Sequence, residues 1–227
     1  MSVLNNEQIM KYRESGDLVI EPFNLKNLKT SSYDVRLGKY FYREQKPPST
    51  GNHNDDIYNM YSEEMVKKVW GNPEEAIPYS FYKKQGIILE NIKDDDLVIM
   101  IGPGESILGH TEEFIGAKKS FTSMLHTRSS AGRSMIQAHM GAGMGDVFFI
   151  NRWTLEITNF STQYRIPLVV GRRIAQVVFF QMEPIETTTG YHLTGKYQKS
   201  DDLNIIMSKW GPSDMLPKKY LDYEIQE

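Results

Sequence analysis

The sequence predicts a mainly β protein, built as a sandwich, a jelly roll or a small barrel. Many short apolar runs are bounded by glycine and proline turns, and several alternate apolar with polar side chains as half-buried strands do. Few stretches show the spacing of an amphipathic helix. With 227 residues, of which 40% are hydrophobic and 24% charged, the chain can bury a sizeable core as one large domain or two small ones.

The first predicted element is a short N-terminal helix, because Asn5 and Gln8 have the spacing of a capping box. Residues 31–38 alternate apolar and polar side chains and predict a strand. Polar residues 44–60 indicate a loop, part of an insertion around 44–80 in which a short helix is expected over 62–70. Further strands are predicted over 87–89, 97–101, 106–108, 121–125, 148–160, 166–170 and 174–182, the last one buried on both faces.

Composition excludes several kinds of site and partner. The chain has no cysteine, so disulfides and thiolate-ligated zinc are impossible, including the metal site of zinc-dependent nucleobase deaminases. No run of 18 apolar residues occurs, and we expect a cytoplasmic protein without a membrane partner. The net charge of −3, without a block of basic residues, argues against binding to polymeric nucleic acid.

The stretch from residue 128 to 156 concentrates groups that bind anions. Arg128 and Arg133 can each form forked hydrogen bonds to phosphate oxygens, and Ser129 and Ser130 add hydroxyl donors between them. Glycines that permit close approach of the backbone to a ligand follow at Gly141, Gly143 and Gly145. These residue types predict a nucleotide site.

Two carboxylates complete this stretch and point to acid–base chemistry close to the phosphates. Asp146 follows the glycines, and Glu156 lies ten residues later in a predicted strand. Leu155 and Ile157 face one side of that strand and Glu156 faces the other, because side chains alternate. The structural alternatives are a turn aspartate at 146 and a solvated strand carboxylate at 156.

Segments spread in order over most of the chain resemble the signature segments of the dCTP deaminase family, within the trimeric dUTPase superfamily. They are residues 31–38, 97–115, 128–133, 142–146 with 154–157, 171–176 and 195–198. The resemblance implies a distorted β-barrel or jelly-roll domain of dUTPase type over residues 1–190, with a tail over 191–227 that closes over the nucleotide. It also implies a homotrimer whose active sites lie between subunits.

The same resemblance implies catalytic roles. Glu156 takes a proton from water and later gives one to the leaving amine, a role that requires partial burial. Arg133 and Ser129 hold the attacking water and stabilise the charge that develops at the tetrahedral centre. His126 and His139 lack the spacing of metal ligands, so no metal is assigned to the protein, and Mg²⁺ is expected only through the triphosphate.

Nucleotide-binding roles are implied for residues in the other motifs. Asp146 is expected to bind the deoxyribose 3′-hydroxyl, and Ala142 to place a backbone group near the base. Gln176 is expected to bind nucleotide, with satisfaction of a buried strand as its alternative role. Contacts to the phosphates are implied for Arg128, Ser130, Tyr191, Lys196 and Tyr197.

The function predicted from these residues is zinc-independent hydrolysis of dCTP to dUTP and ammonia. Two alternatives stay open, a bifunctional dCTP deaminase/dUTPase that gives dUMP and pyrophosphate, and a non-catalytic nucleotide-binding module. Many deaminases carry Arg or Trp where Met144 stands, and a common glutamine is replaced by Ser200. Residues 201–227 match no motif. These departures concern closure over the substrate and keep the alternatives open.

Overall fold

The computed structural model describes residues 2–141, 143–185 and 187–226, which form mainly antiparallel β structure with short helices. The strands are β1 (Ser2–Val3), β2 (Leu18–Glu21), β3 (Tyr33–Arg36), β4 (Tyr40–Arg43), β5 (Glu74–Glu75), β6 (Ile77–Pro78), β7 (Leu97–Ile101), β8 (Ser106–Ala117), β9 (Phe121–Thr127), β10 (Ile136–Gln137), β11 (Met144–Gly145), β12 (Ile150–Asn159), β13 (Ile166–Val169) and β14 (Arg173–Gln181). The helices are α1 (Asn6–Glu14), α2 (Glu63–Trp70), α3 (Tyr79–Lys84), α4 (Ser129–Arg133), α5 (Tyr191–Thr194), α6 (Leu203–Lys209) and α7 (Tyr223–Gln226). The mainly β class with few, short helices is confirmed.

Two sheets make up most of the structure. In the first, β14 pairs with β9 on one edge and with both β1 and β3 on the other, and β11 extends the sheet beyond β9. In the second, β8 lies between β12 on one edge and β2 and β4 on the other, with β10 beyond β12 and β5 beyond β4. A smaller sheet has the order β13, β7, β6.

The core lies between the two larger sheets. One continuous cluster of buried side chains joins them, with Val35, Leu125, Val177 and Phe179 from the first sheet and Ile107, Ile115, Leu155 and Ile157 from the second. Each such side chain contributes roughly 1.5–3 kcal/mol through the apolar surface it removes from water. Both sheets are therefore covered on their inner faces, and the outer face of β12 remains available for a site.

β12 is aligned by close backbone approach to β8. Ile150 lies opposite Gly116, and Thr158 lies opposite Ser106. A Cβ at Gly116 would lie 1.9 Å from the carbonyl oxygen of Phe149, so only glycine allows the two strands to approach here. The register shifts between Arg152 and Thr154, where β8 contains more residues than β12.

The N-terminal capping box is confirmed. The Asn5 side chain accepts the Gln8 N–H at 2.9 Å, and the Gln8 side chain accepts the Asn5 N–H at 3.0 Å. The helix expected over 62–70 is also confirmed, as α2 with Ser62 at its N-cap. None of the helices in the described residues is long and apolar enough to cross a membrane.

Three strand predictions need correction. Residues 87–89 form no strand, because the Tyr79 hydroxyl donates to the Ile87 carbonyl at 3.1 Å and accepts the Leu89 N–H at 2.6 Å in place of a neighbouring strand. The strand predicted over 106–108 continues to Ala117, through buried polar residues that interrupt the apolar pattern. β14 is not buried on both faces: its side chains alternate between buried and half-buried, so the outer face is only partly covered.

Candidate active site

β12 presents Glu156 on the outer face of its sheet. Leu155 and Ile157 are fully buried, whereas Thr154 and Glu156 are half-buried on the other face, as the predicted alternation requires. One carboxylate oxygen of Glu156, Oε2, accepts the backbone N–H of Met140 at 3.1 Å. This hydrogen bond fixes the carboxyl group while leaving it partly accessible, which is the partial burial expected of a proton-transfer group.

A cavity of about 360 Å³ opens beside this face of β12, and it is called the Glu156 cavity below. Asp146 and Glu156 both line it, although Asp146 lies in the loop that follows β11 and Glu156 lies on β12. Tyr191 and Tyr197 from the C-terminal part of the chain line it as well. One chain therefore brings together four of the residues expected at the nucleotide.

Asp146 is placed by the short strand β11. The Thr122 hydroxyl donates to the carbonyl oxygen of Gly145 at 2.7 Å, which attaches the end of β11 to β9. A Cβ at Gly145 would lie 2.5 Å from the Ser123 hydroxyl and 2.5 Å from the Trp153 ring, so this position requires glycine. Ala142, expected near the base, lies outside the described residues.

The segment that carries the two tyrosines is attached to the start of β12. The buried side chain of Gln198 accepts the Ile150 N–H at 2.7 Å and donates to the Phe148 carbonyl at 2.8 Å. The Tyr191 N–H donates to the Val147 carbonyl at 3.1 Å, and burial raises the pKa of the Tyr191 phenol. These contacts hold the Tyr191 side chain in the wall of the cavity.

Lys196 lies outside the Glu156 cavity, in an adjoining cavity of about 200 Å³ that Tyr197 also lines. Its ammonium group pairs with Asp222, and Asp222 also pairs with Lys219. These two lysines lower the pKa of the Asp222 carboxyl by hydrogen bonding to it. In this conformation the Lys196 ammonium group, which is expected to contact phosphate, pairs with a carboxylate of the same chain.

The Arg-Ser motif, defined as residues 128–133, lies on α4 and its N-cap and does not line the Glu156 cavity. Ser129, Ser130 and Arg133 are exposed on the surface. The Nε of Arg128 lies 3.3 Å from Oδ2 of the buried Asp34. Within a single chain, Ser129 and Arg133 therefore do not contribute to the wall of the cavity that Glu156 lines.

Gln176 lies on β14 with a half-buried side chain, opposite Asp34 on β3 and His126 on β9. It is thus in the first sheet, beside the strand that leads into the Arg-Ser motif, and not in the wall of the Glu156 cavity. Its contact with nucleotide stays a prediction.

A family model described as dCTP deaminase-like matches residues 3–182. The chain belongs to the dCTP deaminase-like family. A "dCTP deaminase, dUMP-forming" of Methanococcus maripaludis is 30% identical over 227 residues, 99% of this chain and 98% of the relative. Another of that name from Methanopyrus kandleri is 29% identical over 202 residues, 87% of this chain and 91% of the relative.

Two solved structures align with part of this chain. The crystal structure of 2′-deoxycytidine 5′-triphosphate deaminase from Agrobacterium tumefaciens aligns with a TM-score of 0.49 and 15% identity, covering 78% of this chain and 47% of that chain. A native dUTPase of EIAV aligns with a TM-score of 0.33 and 19% identity, covering 41% of this chain and 83% of that chain.

Sequence reasoning assigned no site role to two residues in the wall of the Glu156 cavity, Arg152 and Trp210. Arg152 could have been found, because period-two alternation along β12 places it on the same face as Glu156. Trp210 gave no such signal, since it lies in a polar segment beyond all the motifs and its partners are distant in sequence.

Protein metal ligands are not assembled in the described part of the chain. No group of three or more His, Asp or Glu side chains there could hold a metal ion. The rings of His126 and His139 lie 6.4 Å apart. Burial lowers the pKa of His139, and the nearby Glu156 carboxylate opposes that shift.

Proposed function

We propose that this protein converts dCTP to dUMP, releasing ammonia and pyrophosphate, as a bifunctional dCTP deaminase and dUTPase. The observation that carries this proposal is that Glu156 and Asp146, one carboxylate for each hydrolysis, line the same cavity. The interpretation from sequence favoured dUTP as the product. The dUMP-forming names of the relatives support the alternative instead.

Glu156 serves the deamination step. Its carboxylate takes a proton from a water molecule, the hydroxide attacks C4 of the cytosine, and the Glu156 carboxyl group gives that proton to N3. The carboxylate then takes the proton of the C4 hydroxyl and gives it to the exocyclic amine, so the tetrahedral centre collapses to a carbonyl and ammonia leaves. The Met140 N–H holds Oε2 at 3.1 Å, so the carboxyl group is oriented before substrate binds.

Asp146 serves the second step. It orients a water molecule that attacks the α-phosphorus of the dUTP formed in the site, and pyrophosphate leaves with the bridging oxygen. Mg²⁺ bound to the triphosphate would neutralise charge on the leaving group, and water molecules would complete its coordination.

The Arg-Ser motif reaches the cavity from a second copy of the chain. We propose a homotrimer in which α4 of one subunit brings Ser129 and Arg133 to Glu156 of its neighbour. The exposure of Ser129, Ser130 and Arg133 supports this arrangement, as do exposed apolar side chains on nearby segments, namely Met135, Met140, Met144 and Phe160.

Subunit mixing tests the composite site. Glu156→Gln and Ser129→Ala each disable one half of the site, so either pure trimer is expected to lose most of its dCTP deamination activity. Random reassembly of the two variants in equal amounts would place an intact Glu156 beside an intact Ser129 at about one quarter of the interfaces. About that share of the wild-type deamination activity is then expected to return. No recovery in verified mixed trimers would contradict a site shared between subunits.

Product analysis tests the function itself. The protein is incubated with dCTP and Mg²⁺, and every product is identified by chromatography. We expect dUMP, pyrophosphate and ammonia in equal amounts. Accumulation of dUTP as the end product would refute the phosphate step and leave deamination alone. Tight binding of dCTP without any turnover would refute both steps and favour the non-catalytic module.

Two variants separate the steps. Glu156→Gln is expected to lower ammonia release about 10²- to 10⁴-fold while supplied dUTP is still cleaved, because only deamination uses this proton shuttle. Asp146→Asn is expected to stop pyrophosphate release from supplied dUTP. Loss of both activities in both variants would show that the two carboxylates do not have separate roles.

A further inference from the structure

The Glu156 cavity contains a guanidinium group with an unusual environment. The Arg152 guanidinium carbon lies 4.5 Å from the ring centre of Trp210 and 4.8 Å from that of Phe114. Aromatic rings that cover the faces of a guanidinium leave its N–H donors, which point outward in the plane, free for other partners. Ring contact also restricts the side chain before any ligand binds.

The N–H groups of Arg152 lack acidic partners in the described part of the chain. Its Nε is buried without a hydrogen-bond partner. Burial lowers the pKa of Arg152, and Glu112 and Glu113 oppose that shift through space, but both of these carboxylates pair with Arg36. A buried N–H without a partner is costly, so this donor calls for a partner that the described residues do not supply.

Arg152 lies on the same strand as Glu156, at a distance from it. It lies four residues before Glu156 on β12, a separation of about 13 Å along an extended strand. Among the described residues that line the cavity, Arg152 carries the one full positive charge, against the carboxylates of Asp146, Glu156 and Asp214. With a pyrimidine beside Glu156, the phosphates would extend toward Arg152, where Tyr191 and Tyr197 also line the cavity.

We infer that Arg152 binds the phosphate chain of the nucleotide and that Trp210 positions it. This inference rests on the proposed function, since it assumes a nucleoside triphosphate in the Glu156 cavity. Trp210 lies beyond residues 3–182, which the family model covers. The part of the chain beyond residue 182 therefore contributes to substrate binding through Arg152 of β12.

Titration calorimetry with inorganic tripolyphosphate tests the inference on the full-length chain without any catalytic turnover. A charge-assisted hydrogen bond is worth about 1.5–3 kcal/mol, so Arg152→Gln is expected to raise the tripolyphosphate Kd about 10- to 100-fold. The same variant is expected to raise the KM for dCTP by a similar factor and to change kcat less than about 3-fold, because the contact is equal in ground and transition states.

Arg13→Gln is the matched control. The Arg13 guanidinium carbon lies 4.2 Å from the ring centre of Phe23, outside the cavity, so this variant loses the same charge and the same kind of ring contact. We expect its tripolyphosphate Kd and its KM to equal those of the wild type. An equal increase in both variants would attribute the effect to overall charge and overturn the inference.

Two further variants keep the test decisive. If Arg152→Gln does not fold, Arg152→Lys retains the charge without the fork, and we expect a tripolyphosphate Kd about 3- to 10-fold above wild type. An unchanged Kd in a folded Arg152 variant would overturn the inference, even if dCTP is turned over as proposed. Trp210→Leu is expected to raise the KM without lowering kcat, and Trp210→Phe, which keeps a ring, to restore it.

The two proposals fail separately. If the wild type releases no product from dCTP, the proposed function fails, but the tripolyphosphate titration still decides whether Arg152 binds phosphate. If the wild type forms dUMP and Arg152→Gln matches it in KM and in tripolyphosphate Kd, the function stands and the assignment of Arg152 falls.

Discussion

We expect mild acid to destabilise this protein through His110, a buried residue of β8. Its Nδ1 lies 2.8 Å from the carbonyl oxygen of Thr111, and its Nε2 accepts the backbone N–H of Tyr40 at 3.2 Å. The neutral tautomer with hydrogen on Nδ1 satisfies both contacts. Protonation would direct a second N–H of the ring at the Tyr40 amide, so the native state resists it.

The magnitude follows from the pKa of His110, which burial lowers from 6.5 to about 4. Above pH 6.5 the ring is neutral in both the folded and the unfolded chain, and it adds no pH dependence. As the pH falls from 6.5 toward 4, the unfolded chain binds a proton that the folded chain does not, so the free energy of unfolding decreases. At about 1.4 kcal/mol for each pH unit, the full loss is about 3 kcal/mol.

Urea unfolding of the wild type and of His110→Gln, at about pH 7.5 and about pH 5, measures this contribution. Other groups titrate in both proteins, so the quantity of interest is the difference between their two pH-dependent losses. Integration down to pH 5 gives about 2 kcal/mol more loss for the wild type. His53→Gln, which removes an exposed histidine of the 44–60 loop, is expected to behave as the wild type does.

Equal losses in wild type and His110→Gln, within about 0.5 kcal/mol, would refute the reasoning, because a neutral buried ring would then not limit acid stability. Trp210 offers a second readout. Its ring centre lies 4.7 Å from that of His110, so the acid transition is expected to change tryptophan fluorescence together with the unfolding signal. The same transition would disturb the wall of the Glu156 cavity.

Three other predictions concern stability and metal. Gly116→Ala is expected to lower the free energy of unfolding by at least about 3 kcal/mol, because its Cβ would meet the backbone carbonyl of Phe149 at 1.9 Å. The control is Gly132→Ala, whose Cβ would have open space around it, and it is expected to change the free energy of unfolding by less than about 1 kcal/mol. Urea midpoints compare the pair, and equal losses would contradict the packing argument. Arg36→Met leaves the buried Glu113 carboxylate without its partner and is expected to lower the free energy of unfolding by about 3–5 kcal/mol near neutral pH. Burial raises the pKa of Glu113, so this group can protonate near pH 5, and the loss is expected to be smaller there. A loss of unfolding free energy that does not depend on pH would contradict this. Chelation of Mg²⁺ is expected to raise the KM for dCTP without changing the melting temperature, and a lower melting temperature would instead indicate a structural metal.

Local signals in the sequence predicted much of the fold. The capping box at Asn5, the helix after Ser62 and the alternation around Glu156 depend on neighbouring residues, and each is confirmed. Errors arose where a distant partner decides the outcome. Residues 87–89 satisfy their backbone through the Tyr79 hydroxyl, and β8 continues through Glu113 because Arg36 neutralises that buried carboxylate.

The candidate site was predictable to a smaller extent. Asp146, Glu156 and the two tyrosines, which the motifs assign to the nucleotide, all line one cavity, and their roles there stay predictions. Motif spacing could not show that the Arg-Ser motif lies outside that cavity in the same chain, because strand order is not visible in spacing. Trp210 was not assigned to the site for a related reason: its contact with Arg152 spans 58 residues of sequence.

The period of two along β12 has a consequence for how variation can act on this enzyme. A slip of one position against β8 would bury the carboxylate of Glu156 among isoleucines and turn Leu155 toward solvent. A deletion of one residue within this strand would therefore displace the Glu156 carboxylate from the cavity and lower stability together, whereas a deletion in the polar 44–60 loop would do neither by this route. Tolerance to insertions and deletions therefore differs from strand to strand, and it is lowest in a strand such as β12, which carries Glu156 on one face and core side chains on the other.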